Sequence, residues 1–170
     1  MKKVFFILLL LIVGCYLLDD KAKSKILLTN NGQEIGKILF KDTPKGMFVY
    51  VDLKNLPEGL HGFHIHENPS CEAAKDENGK MQPALSAGGH YDPDKTGRHL
   101  GPEGAGHKGD LPVLKVSQNG VVQIKFYTPR LTAKEVRGKS VVIHEGGDNY
   151  KDTPTALGGG GKRIACGVIK

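Results

Sequence analysis

Between positions 67 and 110 the chain runs for 44 residues with eight Gly, four Pro and no sustained hydrophobic period. A structureless connection of that length is uncommon in a compact domain unless it serves a function, because ordering it costs backbone entropy that no ladder of its own returns. Restraints other than secondary structure must therefore hold it. The same segment carries Cys71, His90, His99, His107 and Asp110, which makes a disulfide and metal coordination the natural candidates.

The segments on either side read as strands. Runs 25–29 and 33–41 flank Asn30, Asn31 and Gly32, and Asn-Gly between β-like runs signals a hairpin. Run 47–53 places Val49, Val51 and Leu53 on one face, and run 62–66 follows. A second hairpin is predicted from 111–117 and 120–126 across Asn119 and Gly120, with Val122, Ile124 and Phe126 alternating inward. Runs 139–144 and 164–169 complete about eight strands. There is no internal repeat and no interdomain linker. Glycine and proline without a period, 23 and 9 residues, fit an all-β domain with long turn-rich connections. One helical turn is predicted, with Thr132 as N-cap, Glu135 at the third helical position, Leu131 and Val136 as a staple, and Gly138 as the stop.

Residues 1–18 are set apart from the fold. Lys2 and Lys3 precede an unbroken apolar run, 4–13, of the length of a secretory h-region. Extended to Leu18 the run stays short of the ~20 residues that span a bilayer as a helix. Ile12, Val13, Gly14 and Cys15 resemble a bacterial lipobox, which favours cleavage with lipidation at Cys15 over simple signal cleavage. The expected localisation is the periplasm of a Gram-negative bacterium, with membrane attachment through an N-terminal lipid. Cys71 and Cys166 then remain as a pair, expected to form a disulfide in an oxidising compartment, the alternative being two buried thiols. Such a bridge would contribute roughly 4 to 5 kcal/mol by loop entropy before native strain is subtracted.

The formal net charge is +6, and no Lys/Arg stripe interleaved with aromatic residues stands out, so no nucleic-acid partner is expected. No serine elbow, reactive cysteine or paired carboxylate points to a hydrolase or glycosidase.

His64 and His66 lie two apart on a predicted strand, with α-carbons ~6.6 Å apart and side chains on one face, so both imidazoles can converge on one ion. An HxH pair alone is weak, and His144 alone reads as a strand-end residue. The clustering is what changes the balance: all seven histidines lie between 61 and 144.

Five ordered segments, HGFHIHE (61–67), SAGGHYDP (86–93), GHKGDLP (106–112), VVIHEGGDN (141–149) and GGGGKRIACGVIK (158–170), together resemble the copper/zinc superoxide dismutases, with the spacing of their bacterial periplasmic branch. The resemblance covers roughly residues 24–170. It implies an eight-stranded Greek-key β-sandwich or flattened barrel with long metal-binding and electrostatic loops. It implies an exported enzyme, an oxidoreductase that converts superoxide to oxygen and hydrogen peroxide by alternating reduction and reoxidation of copper, with one copper and one zinc ion per subunit. Carried over by position, His64, His66, His90 and His144 would hold copper, and His90, His99, His107 and Asp110 would hold zinc. His90 would bridge the two ions and carry a proton during turnover. Arg163 would draw the anion to the copper, and Asp148 would link a copper histidine to a zinc histidine. His61 is expected to be structural and hydrogen-bonded, and Lys108 and Lys151 could add to the attraction of superoxide.

The residue types suit these tasks, since imidazoles serve a copper that must be stable in two oxidation states, and three histidines with a carboxylate suit tetrahedral zinc. The family includes monomers and homodimers, and no contact motif selects between them. Two other readings compete. An exported metal buffer would need neither a bridging histidine nor a guiding arginine, and an adhesin-like sandwich would leave the 67–110 segment unexplained.

Overall fold

The computed structural model describes residues 20–170. The export signal and the lipidation proposed at Cys15 lie outside the described residues. Strands β1 (Lys21–Leu28), β2 (Glu34–Thr43), β3 (Gly46–Leu53), β5 (Phe63–His66), β9 (Val122–Thr128), β10 (Ser140–His144) and β11 (Arg163–Val168) form one curled antiparallel sheet in the order β5-β10-β11-β1-β2-β3-β9. Strand β4 (Gly59–His61) pairs with β8 (Leu114–Val116), and β6 (Ala74–Lys75) pairs with β7 (Met81–Gln82). Among the described residues no helix is long and apolar enough to cross a membrane.

Period-two alternation builds this sheet. Every second residue of β3, Met47, Val49, Val51 and Leu53, is buried, and Ile35, Ile38 and Phe40 of β2 join them against Phe63, Ile65, Val141 and Ile143. All eight strands read from the sequence are present. Strand β1 starts four residues earlier than the predicted 25, because its added inward positions, Ala22 and Ser24, are small and give little hydrophobic signal. The Asn30–Gly32 turn closes with Gly32 at φ 71° and its amide on Leu28 O. The capping box at Thr132 and Glu135 forms as expected over α1 (Ala133–Val136), with Leu131 and Val136 buried and Gly138 left-handed after it.

The second hairpin departs from expectation. Its turn forms, with Ser117 N donating to Val121 O, but the strands part on either side of it: β9 pairs with β3 over seven residues, and β8 pairs with β4. The long partner β3 outcompetes a three-residue neighbour, and Leu114 and Val116 stay buried by following β4 instead. Run 62–66 is likewise preceded by a separate short strand, β4, broken from β5 at Gly62.

Strand β5 ends the large sheet, so one of its edges lacks a strand partner. The long segment takes that edge: Ile65 N donates to Gly109 O, Tyr91 N to Ile65 O, Glu67 N to Gly89 O and Leu111 N to Phe63 O. A Cβ on Gly109 would lie 2.2 Å from Ile65 O, so only glycine allows this approach. The segment is thus ordered in part by completing the sheet edge, and in part by the Cys71–Cys166 disulfide, which joins residues 95 apart at a Cα separation of 5.7 Å. The thiol alternative is set aside by this bond.

Candidate metal centre

The edge pairing lays His90 beside His66 and Asp110 beside His64 as isolated bridges. Strand β10 delivers the next residue: a bulge between Ile143 and His144 shifts the register and sets His144 opposite Arg163 of β11. His64, His66, His90 and His144 are all buried, and each offers a ligand atom within 4.8 Å of the others; His64, His90, His99 and Asp110 form a second such group. His64 and His90 are common to both groups. His107 stands just outside, its Nδ1 3.6 Å from Asp110 Oδ1 and its ring 5.5 Å from that of His90.

Hydrogen bonds decide which nitrogen of each ring faces inward. His66 Nδ1 bonds Gly88 O at 2.9 Å and His144 Nδ1 bonds Gly161 O at 3.2 Å. Carbonyls only accept, so those nitrogens carry the protons and His66 Nε2 and His144 Nε2 keep lone pairs. His64 Nε2 bonds Asp148 Oδ2 at 2.8 Å, which leaves Nδ1. His99 Nε2 bonds the other oxygen, Asp148 Oδ1, also at 2.8 Å. Asp148 thus joins one ring from each group. Gly158, at φ 71°, packs against this carboxylate, where a Cβ would lie 1.9 Å from Oδ1.

Among the described residues six buried side-chain polar atoms lack a hydrogen-bond partner, and five are ring nitrogens of this cluster: His64 Nδ1, His66 Nε2, His99 Nδ1, His107 Nδ1 and His144 Nε2. Two of the five lie near Asp110, His99 Nδ1 at 3.0 Å and His107 Nδ1 at 3.6 Å. His64 Nδ1, His66 Nε2 and His144 Nε2 have no such neighbour, and since leaving a buried polar atom unsatisfied costs about 1–3 kcal/mol, three in one place call for a ligand that accepts lone pairs.

The electrostatics suit a cation. Burial lowers the pKa of His64, pushes His66 well below its ordinary 6.5, and brings His90 to about 4 and His144 to about 3. These rings are neutral donors at physiological pH. His99 behaves oppositely: burial works against its charge, but bonds to Asp110 and Asp148 outweigh this and lift it to about 9. Asp110 and Asp148 are held well below the usual carboxylate range, against the effect of burial, by their histidine partners. The His99 side is therefore a negatively biased site that takes up positive charge.

Other residues frame the centre. Arg163 is half-buried and donates to Ala84 O at 2.7 Å, Leu85 O at 3.3 Å and Gly88 O at 2.7 Å. His61 bonds His144 O at 2.7 Å and Pro57 O at 3.0 Å, in line with the structural role expected of it. Lys108 lies 3.5 Å from Asp94 and 3.9 Å from Glu135, which offset its charge, whereas Lys151 is exposed. Arg130 was not singled out by the sequence. Its guanidinium reaches four carbonyls, those of Gly101, Pro102, Gly106 and His107, and so braces the segment between His99 and His107. No motif marks such a residue, because its partners are backbone atoms.

The profile of the copper/zinc superoxide dismutase (SODC) family matches residues 34–169. A superoxide dismutase [Cu-Zn] of Brucella abortus is 50% identical over 143 residues, covering 84% of this chain and 82% of the relative. That of Escherichia coli K12 is 46% identical and covers the whole of both chains. Among solved structures, the Cu/Zn superoxide dismutase from Brucella abortus superposes with a TM-score of 0.84 at 46% identity, covering 88% of this chain and 99% of that one. The monomeric copper, zinc superoxide dismutase from Salmonella enterica gives 0.77 at 49% identity, with coverage of 88% and 99%.

Proposed function

The chain belongs to the copper/zinc superoxide dismutase family, and from that premise we propose that it converts superoxide to oxygen and hydrogen peroxide with one copper and one zinc ion per subunit. Copper would be held by His64, His66, His90 and His144, and zinc by His90, His99, His107 and Asp110. The observation that carries this reading is the convergence of buried imidazoles and a carboxylate into two adjoining donor groups, in which His64 Nδ1, His66 Nε2 and His144 Nε2 have no hydrogen-bond partner. Four imidazoles fit a copper that works in two oxidation states, and three imidazoles with a carboxylate fit tetrahedral zinc.

His90 is the shared ligand. Its ring lies within 6.1 Å of the rings of His64, His66, His99, His107 and His144. Its Nδ1 is 3.0 Å from Asp110 Oδ1, on the zinc side, which leaves Nε2 for the copper side. His64 also belongs to both groups, but its Nε2 is committed to Asp148, so it has one nitrogen to give.

Copper, when bound, supplies the one-electron reduction and reoxidation, and zinc supplies fixed positive charge. The chain does the rest. His90 holds a proton at Nε2 in one half of the cycle and gives it up in the other. Asp148 orients His64 and His99. Arg163, with three of its five N–H donors spent on carbonyls, presents a fixed positive head to an arriving anion.

The exported reading is supported by the apolar run 4–13, by Cys15 and by the disulfide, which belongs to an oxidising compartment. The domain of residues 24–170 would work in the periplasm, anchored through a lipid on Cys15 or free after simple cleavage, and the mass of the mature N-terminus separates the two. The activity is tested by assaying dismutation on protein whose copper and zinc are quantified. Stoichiometric metals with rapid dismutation are expected. Stoichiometric metals without it would make the protein a metal buffer.

A further inference from the structure

The outward positions of β1 are Lys21, Lys23 and Lys25, alternating with inward Ala22, Ser24 and Ile26. Each faces another lysine. Lys21 is in register with Lys41 and Lys25 with Lys37 of β2, while Lys23 exchanges both backbone hydrogen bonds with Lys170 at 2.9 Å. Lys25 also pairs with Glu34 at 3.1 Å, and Asp52 stands opposite Lys37 on β3. Like charges set directly opposite one another destabilise a sheet. Strand β1 is central in the sheet, so these lysines do not guard an open edge. A basic run is not visible in the sequence because the lysines occupy alternate positions on different strands.

An open groove of about 730 Å³ lies among Lys21, Lys23, Lys41 and Lys170, floored by Leu39 and Phe48. A second of about 420 Å³ adjoins it and shares Lys23 and Lys170. Half-buried Phe48 has its ring 5.3 Å from that of Tyr127, which is 51% exposed.

We infer that this lysine ladder is a docking face for the anionic phospholipid surface of a membrane. The face is broad, cationic and carried by one side of a sheet, with aromatic side chains beside the charges, as suits the headgroup region of a bilayer. The course of the chain agrees. Lys21 follows Cys15 by six residues, at most about 20 Å of extended backbone, so a bilayer holding that end of the chain lies within reach of the ladder. Docking would relieve the lysine repulsion, at about fivefold in affinity per lysine near the surface. It uses none of the proposed metal ligands.

The test is amine labelling of the full-length, metal-loaded protein, read by mass spectrometry, on vesicles of phosphatidylcholine with and without phosphatidylglycerol. Any acyl or apolar anchor acts equally on both vesicle types and cancels. Labelling of Lys23, Lys41 and Lys170 is expected to slow by about tenfold on the phosphatidylglycerol vesicles alone and to recover at about 0.5 M salt. Exposed Lys95 and Lys115, away from the ladder, should label alike throughout. The double variant Lys23→Glu/Lys41→Glu replaces two repulsive pairs by attractive ones, so it should fold, keep its dismutase rate and lose the protection. Equal labelling on both vesicle types, or protection that survives the double variant, would overturn the inference. So would protection by a single-stranded oligonucleotide but not by phosphatidylglycerol, which would assign the face to nucleic acid.

Discussion

Arg163 and His66 donate to one acceptor, the carbonyl oxygen of Gly88, at 2.7 and 2.9 Å. The residue proposed to receive the anion and a proposed copper ligand are thus fixed to the same backbone atom. A carbonyl has two lone pairs, so it can serve both donors at once. The disulfide at Cys166, three residues after Arg163, ties the same strand to the Cys71 end of the segment. The position of Arg163 relative to His66 is therefore set by covalent and hydrogen-bonded links rather than by a free surface side chain.

Replacing Arg163 by Glu should lower the second-order rate of dismutation about tenfold or more and flatten its ordinary salt dependence, with both metals still bound. Stopped-flow kinetics across ionic strength, with metal analysis of the same samples, makes the check. An unchanged rate removes Arg163 from the mechanism.

Asp148→Asn should weaken metal retention by about 10- to 100-fold, because an amide cannot accept from both His64 Nε2 and His99 Nε2 as the carboxylate does. Chelator competition on the purified variant measures this. Retention equal to that of the wild type would show that the two rings are oriented by packing alone.

Metal-free protein should lose stability on acidification. Burial depresses His90 to about 4 and His144 to about 3 in the folded state, against 6.5 for an ordinary histidine. Below pH 6.5 the unfolded chain binds protons that the folded one refuses, so stability falls as pH drops towards 3. His99, raised to about 9, acts in the other direction: its contribution is complete below pH 6.5 and is lost as pH rises through 9. Urea midpoints of the metal-free protein should therefore decline on both sides of about 6.5. A midpoint flat between pH 4 and 6 contradicts the buried neutral imidazoles.

The sequence revealed most of the strands, since inward Val49, Val51 and Leu53, or Ile38 and Phe40, keep a two-residue period that chemistry alone makes visible, Ile35 being put out of step by a bulge. The residue types gathered in the buried cluster were legible too, because imidazoles and a carboxylate in one segment have few other uses. Pairing was less legible. Nothing local tells β8 to leave β9 for β4, since that choice depends on which partner is longer in the finished sheet. Contacts to backbone carbonyls, such as those of Arg130 or the shared Gly88 oxygen, leave no side-chain signature. The lysine ladder was hidden for a similar reason, being assembled from positions 21 to 41 and 170 only by register.

Removing zinc should loosen the segment around His99, His107 and Asp110, where Arg130 and the β5 edge supply the remaining restraints. Hydrogen exchange over residues 92–108 should quicken by about tenfold or more in zinc-free protein, while β1 to β3 stay protected. Equally slow exchange in both forms would mean that the protein bonds alone order the segment.

The most direct test of the proposal that His90 is shared by both metals is magnetic. With copper(II) in one site and paramagnetic cobalt(II) replacing zinc in the other, an imidazolate common to both should couple the two spins and suppress the ordinary copper resonance, and His90→Ala should restore that resonance while dismutation falls. Two independent resonances in the wild type, with turnover unaffected by His90→Ala, would contradict the account.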